Sequence, residues 1–118
     1  MADVTIYHNT RCSTSRAAVD TAKDQGIAVD LVHYLKTPLD EAALRTLIGQ
    51  LQDPVTDLVR RDAYFKELGL TDAEVADVDQ VVAVLIEHPR LMQRPVLVKN
   101  GVAIIGRPKD RVPAFLED

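Results

Sequence analysis

At 118 residues, the chain has the length of one ordinary domain, so we expect a single domain over residues 1–118. Hydrophobic residues make up 47% and charged residues 27%, which is typical of a folded globular protein and excludes a disordered or fibrous chain. The net charge of −4 argues against broad nucleic-acid binding, because that binding depends on clustered Lys and Arg.

The N-terminal part of the chain predicts a β-α-β unit. Val4 to Tyr7 has the alternation of a short strand, and a polar turn follows it. Residues 14–25 are typical of a helix that ends at Gly26, and residues 29–34 predict a second strand. Strands connected in this order are usually parallel. Cys12 therefore lies where the helix of this unit begins.

The middle of the chain, residues 39–88, predicts a helical insertion. Thr71 and Glu74 have the spacing of a capping box, and Asp79 is a candidate cap for the last helix. A first apolar stripe at helical spacing comprises Leu44, Leu47, Ile48 and Leu51. A second stripe, which ends before Pro89, comprises Val82, Leu85 and Ile86.

The C-terminal part of the chain returns to strands. Val96–Lys99 and Val102–Ile105 flank Asn100-Gly101, the pair best suited to a two-residue type I′ turn, which predicts a β-hairpin. A short helix after Pro108 would carry Phe115 and Leu116 back onto the sheet. The whole order predicts an α/β fold with a mixed four-stranded sheet and a helical insertion between its βαβ and ββα halves.

The compartment and the redox chemistry follow from what the sequence lacks. No apolar run approaches the roughly 20 residues that span a bilayer, and the first residues lack the features of a signal peptide. We therefore expect a cytoplasmic protein, and we expect it to be a monomer. Cys12 is the only cysteine, so an intramolecular disulfide cannot form. If Cys12 does redox chemistry, the second sulfur must come from another molecule.

The position of Cys12 favours a reactive thiolate. A cysteine at a helix N-terminus can have its pKa lowered from about 8.5 to roughly 3.5–7.5. The backbone N–H groups of Ser13, Thr14 and Ser15 would point toward the same spot, which is a ready site for an anion. His8 could stabilise the thiolate by charge or by a hydrogen bond. The alternative is that Cys12 is a small buried hydrophobic residue, although its polar neighbours argue against this.

Residues 6–16, Ile-Tyr-His-Asn-Thr-Arg-Cys-Ser-Thr-Ser-Arg, carry a specific resemblance. The segment resembles the active-site loop of the ArsC-type arsenate reductases that use glutathione and glutaredoxin, whose pattern is close to Tyr-His-Asn-Pro-x-Cys-x-Thr-Ser-Arg. The chain departs from that pattern at Thr10, where the family usually has Pro, and at Ser13, where Gly is common. Further matching segments are Tyr34-Leu35 before Thr37-Pro38, Leu58-Val59-Arg60-Arg61, Glu67-Leu68-Gly69-Leu70, His88-Pro89, Arg94-Pro95 and Arg107-Pro108.

The resemblance implies a thioredoxin-like fold and a set of site residues. Cys12 would form a covalent adduct with arsenate or a related oxyanion, with glutathione as co-substrate, glutaredoxin as partner, and no bound cofactor or metal. Guanidinium groups suit this substrate because they offer paired donors to an oxyanion edge. The resemblance assigns the oxyanion to Arg60, Arg94 and Arg107, gives Pro95 a cis peptide bond, and makes His8, Ser15 and Arg16 supports of the thiolate or anion. Outside this set, we interpret Arg61, Arg90 and Arg111 as solvated surface charges.

Two other functions are compatible with the sequence. One is a glutathione-dependent thiol oxidoreductase of the same fold that does not use arsenate, although three candidate oxyanion-binding arginines argue against it. The other is a regulator that binds RNA polymerase, similar to the Spx proteins. Those regulators typically carry Cys-x-x-Cys, whereas this chain has Ser15 in the place of the second cysteine.

Overall fold

A computed structural model describes residues 3–117, and its centre is a four-stranded mixed sheet. The strands β1 (Val4–Tyr7), β2 (Val29–Val32), β3 (Val96–Lys99) and β4 (Val102–Ile105) lie in the order β2-β1-β3-β4. β1 pairs in parallel with β2 and antiparallel with β3, which confirms the predicted mixed sheet. β2 ends two residues earlier than predicted, because the carbonyl of His33 already accepts turn hydrogen bonds from Lys36 and Thr37.

Within residues 3–117, the fold also contains five α-helices and three 3₁₀ turns, at Val55–Leu58, Asp72–Val75 and Pro89–Leu91. Among these residues, no helix is both long and apolar enough to cross a membrane. The helices are α1 (Ser13–Asp24), α2 (Glu41–Gln50), α3 (Ala63–Glu67), α4 (Val78–Glu87) and α5 (Arg111–Glu117).

Aspartate side chains start the helices of the insertion. Asp40 and Asp62 accept hydrogen bonds from the backbone N–H groups three residues later, as N-cap residues do. The predicted capping box of Thr71 and Glu74 is confirmed. The predicted cap at Asp79 is wrong: Asp77 has the extended backbone and accepts from Gln80, whereas Asp79 lies within the first turn of α4. Asp79 is exposed and pairs instead with Arg45.

Two apolar clusters cover the two faces of the sheet. The first joins Val4, Ile6, Leu97 and Ile104 to α1 and α5 through Ala18, Ala22, Val112 and Leu116. The second joins the other face to the helical insertion and includes Leu44, Leu47, Leu58, Phe65, Val82, Leu85, Val96 and Ala103. Ile86, which the sequence placed on the apolar stripe, is 45% exposed, and Val81 is buried in the core beside Val82 and Leu85.

The C-terminal hairpin has the predicted turn. Asn100 and Gly101 both have positive φ, at 53° and 76°, as a type I′ turn requires. Lys99 pairs with Val102 directly across the turn. The hairpin therefore fixes the register of β3 and β4, whose other ends carry Arg94 and Arg107 to one place.

Candidate active site

Cys12 is the N-cap residue of α1, at the end of the loop that follows β1. The loop is held by its own polar groups: the Cys12 N–H donates to the Asn9 carbonyl at 3.0 Å, and the Arg11 N–H donates to Asn9 Oδ1 at 2.9 Å. Arg16 donates from Nη1 to the Thr10 carbonyl at 2.8 Å. Arg16 thus supports the loop that carries Cys12, and its predicted support of the thiolate or the anion stays a prediction.

His8 and Ser15 form a buried pair beneath this loop. His8 Nδ1 lies 2.6 Å from Ser15 Oγ, which also accepts a hydrogen bond from the Asn9 N–H. Burial, and then the charges of His33 and Arg16, lower the pKa of His8, so the ring is neutral at pH 7. A neutral ring bonded to Ser15 carries no charge, and the support of the thiolate predicted for His8 stays a prediction. The pair holds the loop against α1.

The sulfur of Cys12 is in direct contact with an arginine. Arg107 Nη2 lies 3.2 Å from Sγ, and Arg107 Nε donates to the Arg94 carbonyl at 2.7 Å. Burial by itself raises the pKa of the thiol, because Cys12 is only 7% exposed. The backbone N–H of Ser15 and the guanidinium groups of Arg94 and Arg107 outweigh burial and lower that pKa. Cys12 is therefore set in a polar site rather than in an apolar core.

Arg94 and Arg107 are brought together at the base of the hairpin. The Gly106 N–H donates to the Pro95 carbonyl at 2.9 Å, and a Cβ atom at Gly106 would lie only 2.8 Å from Pro95 Cγ. Only glycine permits this approach. The Arg94–Pro95 peptide bond is cis, as predicted, and the Arg107–Pro108 bond, for which no isomer was predicted, is also cis.

Arg94 Nε is buried and has no hydrogen-bond partner among residues 3–117, which leaves a donor for a ligand.

Arg60 reaches the same site from the helical insertion. Its N–H donates to the Leu91 carbonyl at 2.7 Å, and the Gln93 N–H donates to the Leu58 carbonyl at 2.7 Å. These bonds place the segment before Arg60 alongside the segment before Arg94. Burial, followed by the charge of Arg94, lowers the pKa of Arg60, and Arg107 acts in the same direction. The structure thus gathers Arg60, Arg94 and Arg107, which we call the arginine triad, around Cys12.

The chain has known relatives. The ArsC family model matches residues 7–115 of the chain. The chain belongs to the ArsC family. It is 37% identical over 118 residues to the arsenate reductase of Neisseria meningitidis, covering 98% of this chain and 100% of that protein. It is 40% identical over 111 residues to the uncharacterized protein YfgD of Escherichia coli, covering 92% of each.

A solved structure agrees with the fold. The arsenate reductase from Vibrio cholerae superposes with a TM-score of 0.79 at 36% identity, covering 94% of this chain and 95% of that one. The α/β fold is therefore the thioredoxin-like fold of the ArsC family, as the sequence predicted. The helical insertion described above belongs to it.

The three arginines interpreted as solvated surface charges have defined partners in this ArsC-family structure. Arg111 donates to the Ile105 carbonyl at 2.8 Å and pairs with Asp53 at 3.0 Å, while Asp53 accepts from the Ile105 N–H. Since Ile105 lies two residues before Arg107, this pair anchors the backbone that carries it. The other two are Arg61, which donates to the Val59 carbonyl and pairs with Asp72, and Arg90, which lies over the Tyr64 ring.

Tyr34 is a site residue that the sequence interpretation missed. It is 1% exposed, and its hydroxyl donates to the Met92 carbonyl at 3.4 Å. Burial raises its pKa, while the nearby Arg94 guanidinium acts against that rise. Tyr34 is therefore a neutral phenol packed beside Arg94. The only signal in the sequence was its place in a family-like segment, which does not distinguish a site residue from a core residue.

Two open clefts are lined by members of the arginine triad, and one of them also reaches the Cys12 loop. The larger, of about 810 Å³, is lined by the loop itself and by Arg60 and Arg94. The smaller, of about 350 Å³, is lined by Arg107 and by the Asp53–Arg111 pair. Arg107 thus approaches the sulfur from one side, and the other two members of the arginine triad face the larger cleft. Among residues 3–117, no cluster of three His, Cys, Asp or Glu side chains has the arrangement of a metal site.

Proposed function

We propose that this chain reduces arsenate to arsenite through a covalent adduct on Cys12, with glutathione as reductant and glutaredoxin as the partner that restores the thiolate. The observation that carries the proposal is the contact of Arg107 Nη2 with Cys12 Sγ at 3.2 Å, beside a buried Arg94 Nε without a protein partner. A cation on the sulfur favours the thiolate, and an unused buried donor favours an oxyanion. Relatives at 33–37% identity that are named arsenate reductases support this substrate.

In the first step, the Cys12 thiolate attacks the arsenic atom of arsenate. A sulfur–arsenic bond forms, an arsenic–oxygen bond breaks, and the departing oxygen leaves as water after protonation. Both reactants are anions, so the reaction needs nearby positive charge. The arginine triad supplies it, and guanidinium groups fit the oxygen edges of a tetrahedral anion.

In the second step, a glutathione thiolate attacks the sulfur of Cys12. A disulfide between Cys12 and glutathione forms, the sulfur–arsenic bond breaks, and its electron pair stays on arsenic, which leaves as arsenite. Two sulfurs are oxidised and arsenic is reduced from As(V) to As(III), so the electrons balance. A glutaredoxin thiolate then attacks the glutathione sulfur and frees the Cys12 thiolate. We assign this chemistry to the cytoplasm, where reduced glutathione is maintained.

The test is a coupled assay of the purified protein with arsenate, glutathione, glutaredoxin and a system that regenerates reduced glutathione. We expect arsenite to form, and we expect Cys12→Ser to reduce the rate to that of the blank. Ala42→Ser, an equally small change at an exposed position of α2, is the matched control and should retain full activity. No arsenite above the blank would overturn the proposed substrate.

The same assay separates the substrate from the reductant. Glutathione without glutaredoxin should give slow or incomplete turnover, because the mixed disulfide then has only glutathione to resolve it. Turnover with thioredoxin but not with glutathione and glutaredoxin would retain arsenate as substrate and contradict the proposed coupling.

A further inference from the structure

The larger cleft is much more basic than the protein as a whole. The chain has a net charge of −4, yet the cleft is lined by five cations and one carboxylate. That carboxylate, Asp62, pairs with Arg60 at 3.1 Å, so most of the positive charge in the cleft is not neutralised. The charged lining residues are Arg11, Lys36, Arg60, Arg90, Arg94 and Asp62.

Three of these cations, Arg11, Lys36 and Arg90, are not members of the arginine triad, and we call them the rim cations. All three are exposed, and within residues 3–117 none forms a salt bridge with a carboxylate. The backbone of Arg11 is bonded within the Cys12 loop, which places its exposed side chain next to Cys12 in the chain. The Arg90 guanidinium lies 4.2 Å from the centroid of the Tyr64 ring.

The cleft is larger than one oxyanion requires. Its volume of about 810 Å³ falls within the ~300–1,000 Å³ range of pockets that bind whole small molecules. Arsenate at the arginine triad would leave the part of the cleft at the rim cations open. That space, beside the loop of the reactive sulfur, is suited to a second and larger anion.

The chemistry of Cys12 defines that second ligand. Because the chain has one cysteine, a turnover needs a thiol from solution, and that thiol must reach the Cys12 loop. We infer that the rim cations bind the carboxylates of this external thiol, which makes the larger cleft a subsite for an anionic thiol of the size and charge of glutathione. The inference deepens the proposed function and rests on it for the identity of Cys12 as the reacting sulfur.

The physical basis is charge recognition at an exposed site. Glutathione carries two carboxylates on a short flexible chain, and two or three of the rim cations can contact them while its sulfur turns toward Cys12. An exposed ion pair contributes only roughly 0.2–1 kcal/mol, so three together change a rate by about tenfold rather than by many orders of magnitude. A neutral thiol of similar reactivity gains nothing from these cations.

Thiol–disulfide exchange tests the subsite without arsenate. The Cys12 thiolate attacks oxidised glutathione, forms a disulfide with one glutathione and releases the other as a thiolate. The same exchange with the uncharged bis(2-hydroxyethyl) disulfide measures the intrinsic reactivity of Cys12. Mass spectrometry of the intact protein follows both adducts, and the ratio of the two second-order rate constants reports recognition of the carboxylates.

The informative variant replaces all three rim cations by Gln, as Arg11→Gln, Lys36→Gln and Arg90→Gln in one chain. Its matched control, with the same change in net charge at exposed positions outside the cleft, carries Lys23→Gln, Lys66→Gln and Lys109→Gln. We expect the rim variant to react about tenfold more slowly with oxidised glutathione and within about twofold of wild type with the neutral disulfide. The control variant should keep the wild-type ratio.

Three results would overturn the subsite. An unchanged ratio in the rim variant would show that the cleft does not recognise the carboxylates, as would be expected if it served only a protein partner. An equal fall for both disulfides would assign the effect to Cys12 itself. A similar fall in the control variant would assign it to net charge.

The exchange experiment and the arsenate assay can fail independently, so failure of the thiol subsite is distinguishable from failure of the proposed function. A protein that shows the expected ratio but forms no arsenite retains the thiol subsite and loses arsenate as substrate. A protein that forms arsenite without the expected ratio retains arsenate as substrate and loses the thiol subsite.

Discussion

The cations near Cys12 fall into two groups that differ in how they are held. On one side, Arg107 is fixed by the Arg94 carbonyl, and its backbone is anchored by the pair of Asp53 and Arg111. On the other side, the rim cations lie exposed on a wide cleft without carboxylate partners among the described residues. A fixed guanidinium suits contact with a sulfur that is itself fixed in the chain. Exposed rim cations without carboxylate partners suit the binding of a flexible ligand from solution.

The strongest test of this comparison is Arg107→Lys. The variant keeps the charge but loses the planar fork that reaches both Sγ and the Arg94 carbonyl, so we expect kcat/KM for arsenate to fall about 100-fold. Steady-state kinetics with saturating glutathione measures the effect. Arg45→Lys, on the exposed face of α2, is the matched control and should remain close to wild type. If Arg107→Lys also remains close to wild type, the fixed geometry of Arg107 is unimportant.

The pH dependence of Cys12 alkylation distinguishes the two groups of cations directly. Iodoacetamide reacts with the thiolate, so the rate rises with pH and reaches half its maximum at the pKa of Cys12. Because that pKa is lowered, we expect the wild-type midpoint to lie below that of an unfolded control peptide that contains the same cysteine. Arg107→Gln removes a cation from the sulfur and should raise the midpoint.

Lys36→Gln provides the contrast, because it removes a rim cation that has no direct contact with Sγ among the described residues. Its midpoint should stay at the wild-type value, since the charge of Lys36 is exposed and screened. Equal shifts in the two variants would contradict the division into fixed and rim cations.

A smaller effect is expected from Asp53→Ala, which removes the anchor behind Arg107. The variant loses the pair with Arg111 and the acceptor for the Ile105 N–H, so we expect a loss of about 1–3 kcal/mol in the free energy of unfolding. Because the effect on chemistry is indirect, kcat/KM for arsenate should fall about three- to tenfold. Urea unfolding and steady-state kinetics measure the two changes.

Asp79→Ala is the control for this anchor, because Asp79 also pairs with an arginine but is 83% exposed. We expect its stability and its kcat/KM to stay close to wild type. If Asp53→Ala leaves kcat/KM unchanged while lowering stability, the pair supports the fold and does not position Arg107.

The local features of the fold could be predicted from the sequence. Asn100-Gly101 specifies its turn because both residues tolerate positive φ, and the capping box of Thr71 and Glu74 is a contact between neighbours. The placement of Cys12 at the start of α1 followed from the polar loop and the helix after it. The choice between Asp77 and Asp79 as a cap failed, since it depends on one backbone angle that composition does not reveal.

The candidate site was only partly predictable. Cys12 and the arginine triad were named through resemblance, and the structure brings them together. The roles predicted for His8 and Arg16 stay predictions, since the bonds that their side chains form lead to Ser15 and to the Thr10 carbonyl. The anchor formed by Asp53 and Arg111 gave no signal at all, since its members are 58 residues apart in the chain.

The sequence by itself determined the short-range structure of this protein and the place of its one cysteine at the start of a helix, because both depend on residues that are neighbours along the chain. Only the tertiary structure decided which cations touch that sulfur, which are anchored and which line an open cleft. The physical reason is that contacts between β1, the insertion and the hairpin depend on how three distant segments pack around one sheet, and no local pattern encodes that arrangement.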